Sequence, residues 1–294
     1  MSPEPVVAVC TNRTPALAAE ALAALAAQVP SGRILVVTSG LPATTVAGHR
    51  AAAPGPVVEE PLPGLSRARN RALAWAGEAE AQAIAFVDDD AIVDPGWWEA
   101  LVTRWAAADG RVGAIGGPIR PRWPGAAPAW ISRPILPALT LLDLGGEDRE
   151  LDPAVTTVFG ANISFAVAPL REAGGFDLAY GHSGRRIFFS EEDQAQRALA
   201  ARGYRVLYAP ELGVRHVIPP DRMTRGAFLR RRYAYGRALG RRGGRTGRRA
   251  LRQLATSAPG ALVALAARDQ KLFMERAVRA AENAGVLAGT ARRG

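Results

Sequence analysis

The hydrophobic positions of this chain fall into short apolar runs separated by longer segments with helical spacing. Helices are predicted from Pro15 to Ala27 and from about Leu65 to Trp75. Short strands that alternate with helices form βαβ units, so the pattern predicts an α/β fold with a mostly parallel open sheet. The predicted strands are Val6 to Cys10, Arg33 to Val37, Gly55 to Glu60, Ala83 to Val87 and Val112 to Gly117.

The fourth apolar run ends in a cluster of like charges. In "AIAFVDDDAIVDPGWW" it passes directly into Asp88, Asp89 and Asp90, and Pro95 is expected to open the next helix with Asp94 as its cap. Open α/β sheets bind ligands beyond the carboxyl ends of their strands. Three adjacent carboxylates there repel one another unless a cation neutralises them. The segment therefore predicts Mg²⁺ or Mn²⁺ together with a substrate diphosphate.

A second acidic cluster lies far downstream. Glu191, Glu192 and Asp193 precede a helical pattern that breaks at Gly203 and is followed by the strand "YRVLYA". Carboxylates in the first turn are favoured by the helix dipole, and capping by Ser190 would explain the cluster structurally. Beside a metal and a diphosphate, the same cluster instead suggests a general base.

Six motifs occur in one order along the chain, from about Val6 to Thr224. They are "VVAVCTNRTPAL", "PLPGLSRARNRAL", "FVDDDAIVDPGWW", "FGANISFAVAPLREAGGFD", the acidic helix start, and "GYRVLYAPELGVRH". With these motifs the chain resembles the nucleotide-sugar glycosyltransferases of the GT-A fold, in the large inverting family two. Each motif is weak by itself, and their common order carries the resemblance.

The resemblance implies roles for residues that bind the donor. The loop after the first strand, with Thr11, Asn12 and Arg13, would contact the nucleotide sugar. Arg69 and Asn70 would open a helix beside the diphosphate and the nucleoside.

The resemblance also implies how the carboxylates are used. Asp88 and Asp89 would lie near the ribose, and Asp90 would bind the metal, Mn²⁺ or Mg²⁺. His216 matches a C-terminal histidine that completes metal coordination in this fold. A lone histidine near a strand end is otherwise usually structural.

The acceptor side follows from two further motifs. The spacing to the next glycine turn aligns Glu192 with the family's catalytic base, and Glu191 and Asp193 are the other candidates in this group. Gly160 and Asn162 would line the cleft for the sugar and its acceptor. The implied reaction is a single displacement with inversion at the anomeric carbon.

Three positions depart from the family pattern, one of them Glu192, since Asp is the commoner base. Thr38 stands where the second strand usually ends in an Asp that reads the nucleobase, and Gln194 replaces an acidic residue after the base. A nucleotidyltransferase of related architecture usually has a Gly-rich, Lys-containing first loop, which "CTNRTPAL" lacks. A glycoside hydrolase needs two carboxylates without a triple Asp, and a non-catalytic sugar-binding relative is the non-enzyme alternative.

The positive charge is concentrated in one segment. The chain has a formal net charge of +10, and the segment from Asp221 to Arg252 holds twelve Arg and one Asp, so it alone carries +11. A solvated helical face with a Gly-Arg linker, an anionic lipid surface and nucleic acid compete as interpretations. Nucleic acid is disfavoured because no recognisable binding module accompanies the charge.

The organisation predicted from these observations is a catalytic domain over residues 1–220 and a basic, mainly helical extension over 221–294. In the extension, Thr224 is expected to cap an Arg-rich helix whose apolar stripe packs on the body or on a bilayer, followed by the flexible tether "GGRTGRR". No leader or membrane span is recognised, and Cys10 is the single cysteine. We expect a cytoplasmic protein with peripheral contact at the inner membrane face. The irregular stretch from Pro118 to Leu151 is expected to shape the acceptor side, and both lipid-linked saccharides and small molecules fit as acceptors.

Overall fold

The structure is a computed structural model that describes residues 4–179, 191–242 and 247–291, so the predicted Ser190 cap lies outside the described residues. The chain forms two compact units. One comprises Met1–Pro121 and Leu141–Val217, and the other Arg122–Thr140 and Ile218–Gly294. The sequence did not indicate that a segment near residue 130 joins the C-terminal helices. The predicted boundary at residue 220 stays a prediction.

The elements are numbered in chain order. The strands are β1 (Val6–Thr11), β2 (Ile34–Ser39), β3 (Val57–Glu60), β4 (Ala83–Val87), β5 (Ala91–Val93), β6 (Val112–Gly116), β7 (Ile119–Arg122), β8 (Arg149–Leu151), β9 (Asn162–Ala166), β10 (Arg205–Tyr208) and β11 (Val214–Val217). The helices are α1 (Pro15–Ala26), α2 (Ala43–Ala52), α3 (Leu65–Glu78), α4 (Trp97–Ala107), α5 (Val167–Glu172), α6 (Glu191–Ala200), α7 (Arg225–Arg242), α8 (Gly247–Ala266) and α9 (Gln270–Thr290).

The main sheet confirms the predicted fold class. Its order is β3-β2-β1-β4-β9-β6-β10-β8, with β3, β2, β1 and β4 mutually parallel. β9 runs antiparallel between β4 and β6, and β10 is parallel to β6. A second sheet of three strands has the order β5-β11-β7. The molecule is therefore a mixed α/β protein with a mostly parallel sheet.

The core explains why the central strands read as continuous apolar runs. Every residue of β2, β4 and β6 is buried, as expected for strands covered by helices on both faces. α3 buries Ala68, Ala72 and Ala76, which its helical spacing places on one face. Phe86 and Phe176 meet edge to face, with ring centroids 5.3 Å apart. This contact packs β4 against the turn that follows α5.

The predicted start of α4 is wrong by two residues. The helix begins at Trp97 after Gly96, which has φ 81, so Pro95 lies in the preceding turn. Asp94 does not cap the helix. Its carboxylate instead lies 3.0 Å from Nε of Arg215 on β11, so the side chain is directed away from the start of the helix.

The C-terminal unit contains the three long helices α7, α8 and α9. Thr224 Oγ1 accepts the backbone N–H of Ala227 at 3.3 Å, which confirms the predicted cap. Of the predicted flexible tether, residues 243–246 lie outside the described residues, and from Gly247 the chain is helical in α8.

Paired glycines bring α7 and α9 into close contact. Gly236 and Gly240 on α7 face Gly285 and Gly289 on α9, four residues apart on each helix. A Cβ at Gly240 would lie only 2.1 Å from the carbonyl oxygen of Val286. Small residues let helix backbones approach closely, so these glycines determine how α7 docks.

Candidate active site

The site lies at the carboxyl ends of β1 and β4, which are adjacent and parallel. Thr11 ends β1, and its Oγ1 donates a hydrogen bond of 2.5 Å to Asp89 Oδ2. Asp88, Asp89 and Asp90 connect β4 to β5, so the three carboxylates occupy the edge predicted for ligand binding.

The cluster is neutralised partly by Arg13. Its Nη1 lies 2.8 Å from Asp90 Oδ2 and 3.3 Å from Asp89 Oδ1. His216, on β11, places Nε2 3.2 Å from Asp90 Oδ1 because β11 pairs with β5 next to Asp90. Burial alone would raise the pKa of Asp90, but the hydrogen bond and charge of His216 together with Arg13 hold this pKa well below its usual range. Asp90 is thus a carboxylate over the working pH range.

Asp88 faces a second cation, Arg69, on α3. The Arg69 side chain is only 3% exposed, and its Nη2 lies 3.8 Å from Asp88 Oδ1 and 3.2 Å from the carbonyl oxygen of Gly160. On the other side, Nη1 lies 2.8 Å from Glu191 Oε1 and 3.5 Å from Glu192 Oε2. One guanidinium therefore joins the triple-Asp segment to the acidic start of α6.

The charge balance around Arg69 shifts the neighbouring carboxyl groups. Desolvation raises the pKa of Asp88 to about 6, although Arg69 lowers it. Burial, and then the charge of Glu192, raise the pKa of Glu191 against the pull of Arg69. One guanidinium among three carboxylates leaves the group short of positive charge, so it favours binding a proton or another cation.

The three acids of α6 have different environments. Glu191 is buried against Arg69, with its side chain 2% exposed. Asp193 Oδ1 accepts a hydrogen bond of 2.5 Å from Thr157 Oγ1. The Glu192 side chain is 15% exposed, and its Oε1 accepts the Gly160 N–H at 3.2 Å. Glu192 thus combines partial exposure with a backbone donor that orients its carboxyl group.

Gly160 is required by the close approach of Arg69. A Cβ at this position would lie 2.1 Å from Arg69 Nη2. Since Arg69 is buried among carboxylates, it cannot move away cheaply. The glycine of the "FGAN" motif therefore leaves the space that the Arg69 guanidinium occupies between the carboxylates.

Two of the three predicted asparagines, Asn70 and Asn162, make hydrogen bonds that hold the fold. Asn70 donates to the carbonyl of Phe176 at 2.7 Å and accepts its N–H at 2.8 Å. Asn162 donates to the carbonyls of Pro118 and Leu212, and accepts from Trp97 Nε1 at 3.2 Å. The first tryptophan of the "GWW" motif thus anchors the strand beside the site. Binding roles for these amides stay predictions.

The structure adds residues that the sequence analysis did not select. Thr157 bonds Asp193, and Gln196 exchanges two hydrogen bonds with the backbone of Val158, so α6 is tied to the loop before Gly160. No motif marks these positions. Asn12 is exposed on the loop beside Arg13.

The described residues contain no group of three His, Cys, Asp or Glu side chains that could hold a metal by themselves. Asp90 and His216 supply two donors, a carboxylate oxygen and an imidazole nitrogen, whose atoms are 3.2 Å apart. Such a pair suits Mn²⁺ or Mg²⁺ when substrate phosphates provide the remaining ligands. The residues present therefore fit an ion that arrives with a diphosphate.

The chain is similar to known proteins both in sequence and in fold. The family model described as Glycosyl transferase family 2 matches residues 6–172, more than half of the chain. The chain belongs to glycosyl transferase family 2. Membership in this family supports a nucleotide-sugar glycosyltransferase. The matched residues include the triple Asp and Arg69 but end before α6.

Solved structures show the same GT-A fold. The mannosyltransferase PcManGT from Pyrobaculum calidifontis, in complex with GDP-Man and Mn²⁺, aligns over all of this chain and 76% of its own, with a TM-score of 0.57 and 19% identity. GalNAc-T7, with UDP, GalNAc and Mn²⁺, aligns over 81% of this chain and 48% of its own, with a TM-score of 0.54 and 13% identity.

One curated relative matches in sequence. The glucosyl-dolichyl phosphate glucuronosyltransferase of Haloferax volcanii is 30% identical over 135 residues, which is 45% of this chain. The alignment spans 42% of that relative. Its similarity supports the family 2 assignment.

Proposed function

We propose that this protein is an inverting glycosyltransferase that moves a sugar from a nucleoside-diphosphate sugar to an acceptor hydroxyl with the help of a divalent metal. The observation that carries the proposal is the position of Arg69. Its two terminal nitrogens contact Asp88 on one side and Glu192 on the other, at 3.8 and 3.5 Å. These contacts bring the candidate donor site and the candidate base to the same guanidinium in the first unit, which we propose as the catalytic domain.

Donor binding is assigned to the end of β1 and the triple-Asp segment. Thr11, Asn12 and Arg13 face the nucleotide sugar, with Arg13 able to pair with the diphosphate in exchange for its carboxylate partners. Asp90 and His216 would hold Mn²⁺ or Mg²⁺. A bound metal stabilises the charge that grows on a departing diphosphate.

The base in this proposal is Glu192. It takes a proton from the acceptor hydroxyl while that oxygen attacks the anomeric carbon, and the nucleoside diphosphate leaves on the opposite side. Gly160 N–H orients the carboxylate at 3.2 Å. Burial of Glu191 and the Thr157 hydrogen bond to Asp193 favour Glu192 over its neighbours.

The acceptor proposed first is a lipid-linked saccharide. The Haloferax relative is named for glucosyl-dolichyl phosphate, a lipid-linked substrate. A diffusible small molecule is the second candidate. We also propose a cytoplasmic location with peripheral contact at an anionic membrane, supported by the +11 segment from Asp221 to Arg252. No helix in the described part of the chain has the length and apolar character of a membrane span.

A turnover assay with a panel of nucleotide sugars tests the proposal. We expect release of a nucleoside diphosphate, mass gain of one sugar on the acceptor, and an inverted anomeric centre by NMR. Release of pyrophosphate from nucleoside triphosphates would indicate a nucleotidyltransferase instead. Binding of nucleotide sugar without turnover on any acceptor would indicate a sugar-binding relative.

A further inference from the structure

The outer face of α8 carries an apolar stripe that no described residue covers. Its leucines Leu251, Leu262 and Leu265 are 59%, 69% and 56% exposed. Ala255 and Ala258 lie between them and are also exposed. The spacing of four, three, four and three residues places all five on one face of the helix. A stripe of this length is unusual for a solvated surface.

The opposite face of α8 explains why the leucines point outward. Ala250, Ser257 and Ala264 are buried, and α8 packs on α9. Small side chains therefore make the contact within the unit. The large apolar side chains are left for an external partner.

Cations flank the stripe at both ends. Arg248 and Arg252 lie in the first turns of α8, and Arg268 and Lys271 follow its end, all exposed. The twenty residues of α8 include no Asp or Glu. The first acid beyond it, Asp269, caps α9 by accepting the backbone N–H of Leu272.

The positive charges at both ends of α8 indicate which kind of partner its apolar face would bind. A second copy of α8 would bring like charges together in either helix orientation, because both ends are cationic. An anionic bilayer surface instead offers phosphates for the ends and an acyl boundary for the stripe. The chemistry of the face therefore fits a lipid surface better than self-association.

We propose that the outer face of α8 is the membrane-binding surface of this protein and lies in the plane of an anionic bilayer. The inference rests on the peripheral membrane contact proposed above and changes the helix that makes it. On the Arg-rich α7, Phe228 is 2% exposed and meets Trp130 edge to face, and the glycines pack on α9. Phe228 and the glycines of α7 thus serve the fold, whereas the exposed leucines of α8 are available to the membrane.

Vesicle co-sedimentation of the full chain tests the assignment. The vesicles contain phosphatidylcholine alone or with phosphatidylglycerol, at low and high salt. The test variant is Leu262→Gln with Leu265→Gln. Its matched control is Leu17→Gln with Leu178→Gln, two leucines of the other unit that are 59% and 54% exposed. Arg230→Gln with Arg241→Gln, on the exposed side of α7, forms the third arm.

The expected result is binding to the anionic vesicles that weakens in high salt. The α8 variant should lose about tenfold or more in partitioning, since two leucines no longer enter the lipid. The control pair should bind as the parent does, and circular dichroism should show all variants folded.

Three outcomes would overturn the assignment. If the α7 arginine variant loses vesicle binding and the α8 leucine variant does not, the protein binds membranes through α7 and not through α8. If the parent protein does not bind the vesicles, both the α8 assignment and the proposed peripheral membrane contact are wrong. The proposed glycosyl transfer is not affected by this outcome. If light scattering without vesicles gives the α8 variant a lower molar mass than the parent, the stripe is an interface between copies of this chain.

Discussion

Arg69 Nη1 lies 2.8 Å from Glu191 Oε1, and the two side chains, 122 residues apart in sequence, are only 3% and 2% exposed. Removing one partner of a buried ion pair leaves an uncompensated charge. Arg69→Met should therefore lower the free energy of unfolding by about 3–5 kcal/mol in urea denaturation.

A matched control exists on the same helix. Arg71 is exposed, so Arg71→Met should change stability by less than about 0.5 kcal/mol. Adding Glu191→Gln to Arg69→Met should recover part of the loss, because it removes one of the stranded carboxylates. Equal stability of the Arg69 and Arg71 variants would show that the cluster does not hold the fold.

The core strands and the candidate ligand edge could be proposed from the sequence because each depends on residues that are close together in the chain. The roles of the site residues stay predictions. Apolar runs mark β1, β2, β4 and β6, and the three Asp residues that follow β4 mark the candidate ligand edge. Partners distant in sequence could not be predicted. Asn70 bonds Phe176 across 106 residues, and the carboxylate of Asp94 lies 3.0 Å from Arg215 Nε on β11.

The structure removes one reason to expect a metal ion and supplies another. Charge repulsion among the three Asp residues suggested a cation, but Arg13 and Arg69 already supply positive charge there. The Asp90 and His216 pair is now the stronger reason to expect an ion. The proximity of Asp90, just before β5, to His216 on β11 could be expected from the sequence only through the resemblance.

Metal dependence follows from the Asp90 assignment. Asp90→Ala should abolish transfer while leaving circular dichroism unchanged. A chelator should remove the parent's activity, and Mn²⁺ or Mg²⁺ should restore it. Asp221→Ala, an exposed carboxylate of the other unit, should retain activity. Full turnover in chelator would rule out the metal role.

The base assignment gives a second kinetic prediction. Glu192→Gln should lower kcat by about 10²–10⁴ with little change in nucleotide-sugar binding, since a positioned base acts in the transition state. Glu172→Gln, exposed on α5, is the matched control. If Asp193→Asn is the crippled variant and Glu192→Gln is not, the base is the next residue.

Asp88 predicts a pH dependence of stability. Its folded pKa of about 6 exceeds the ordinary value of 3.8, so the folded state binds this proton more tightly. The carboxylate thus costs stability as pH rises through this window, and fully above it. Because the side chain is 35% exposed, solvent screens the cost, and Asp88→Asn should stabilise by about 1 kcal/mol at neutral pH. Thermal unfolding should show this gain vanish near pH 4, and a gain that persists in acid would point to another cause.

Gly240 tests the close contact between α7 and α9. Replacing a helical glycine by alanine normally stabilises by up to about 1 kcal/mol. At Gly240 the new Cβ would meet the Val286 carbonyl oxygen at 2.1 Å, and a backbone atom of a packed helix cannot yield as a flexible side chain can. Overpacking of this kind costs about 1–3 kcal/mol or more, so the clash should outweigh the propensity gain.

Gly226 on the same helix offers the matched control, because only the tip of Arg230 lies near, at 3.3 Å. Hydrogen exchange of the α7 and α9 amides should accelerate in Gly240→Ala and not in Gly226→Ala. Equal protection of these amides in both variants would mean that α7 and α9 can move apart to admit a methyl group without a loss of stability.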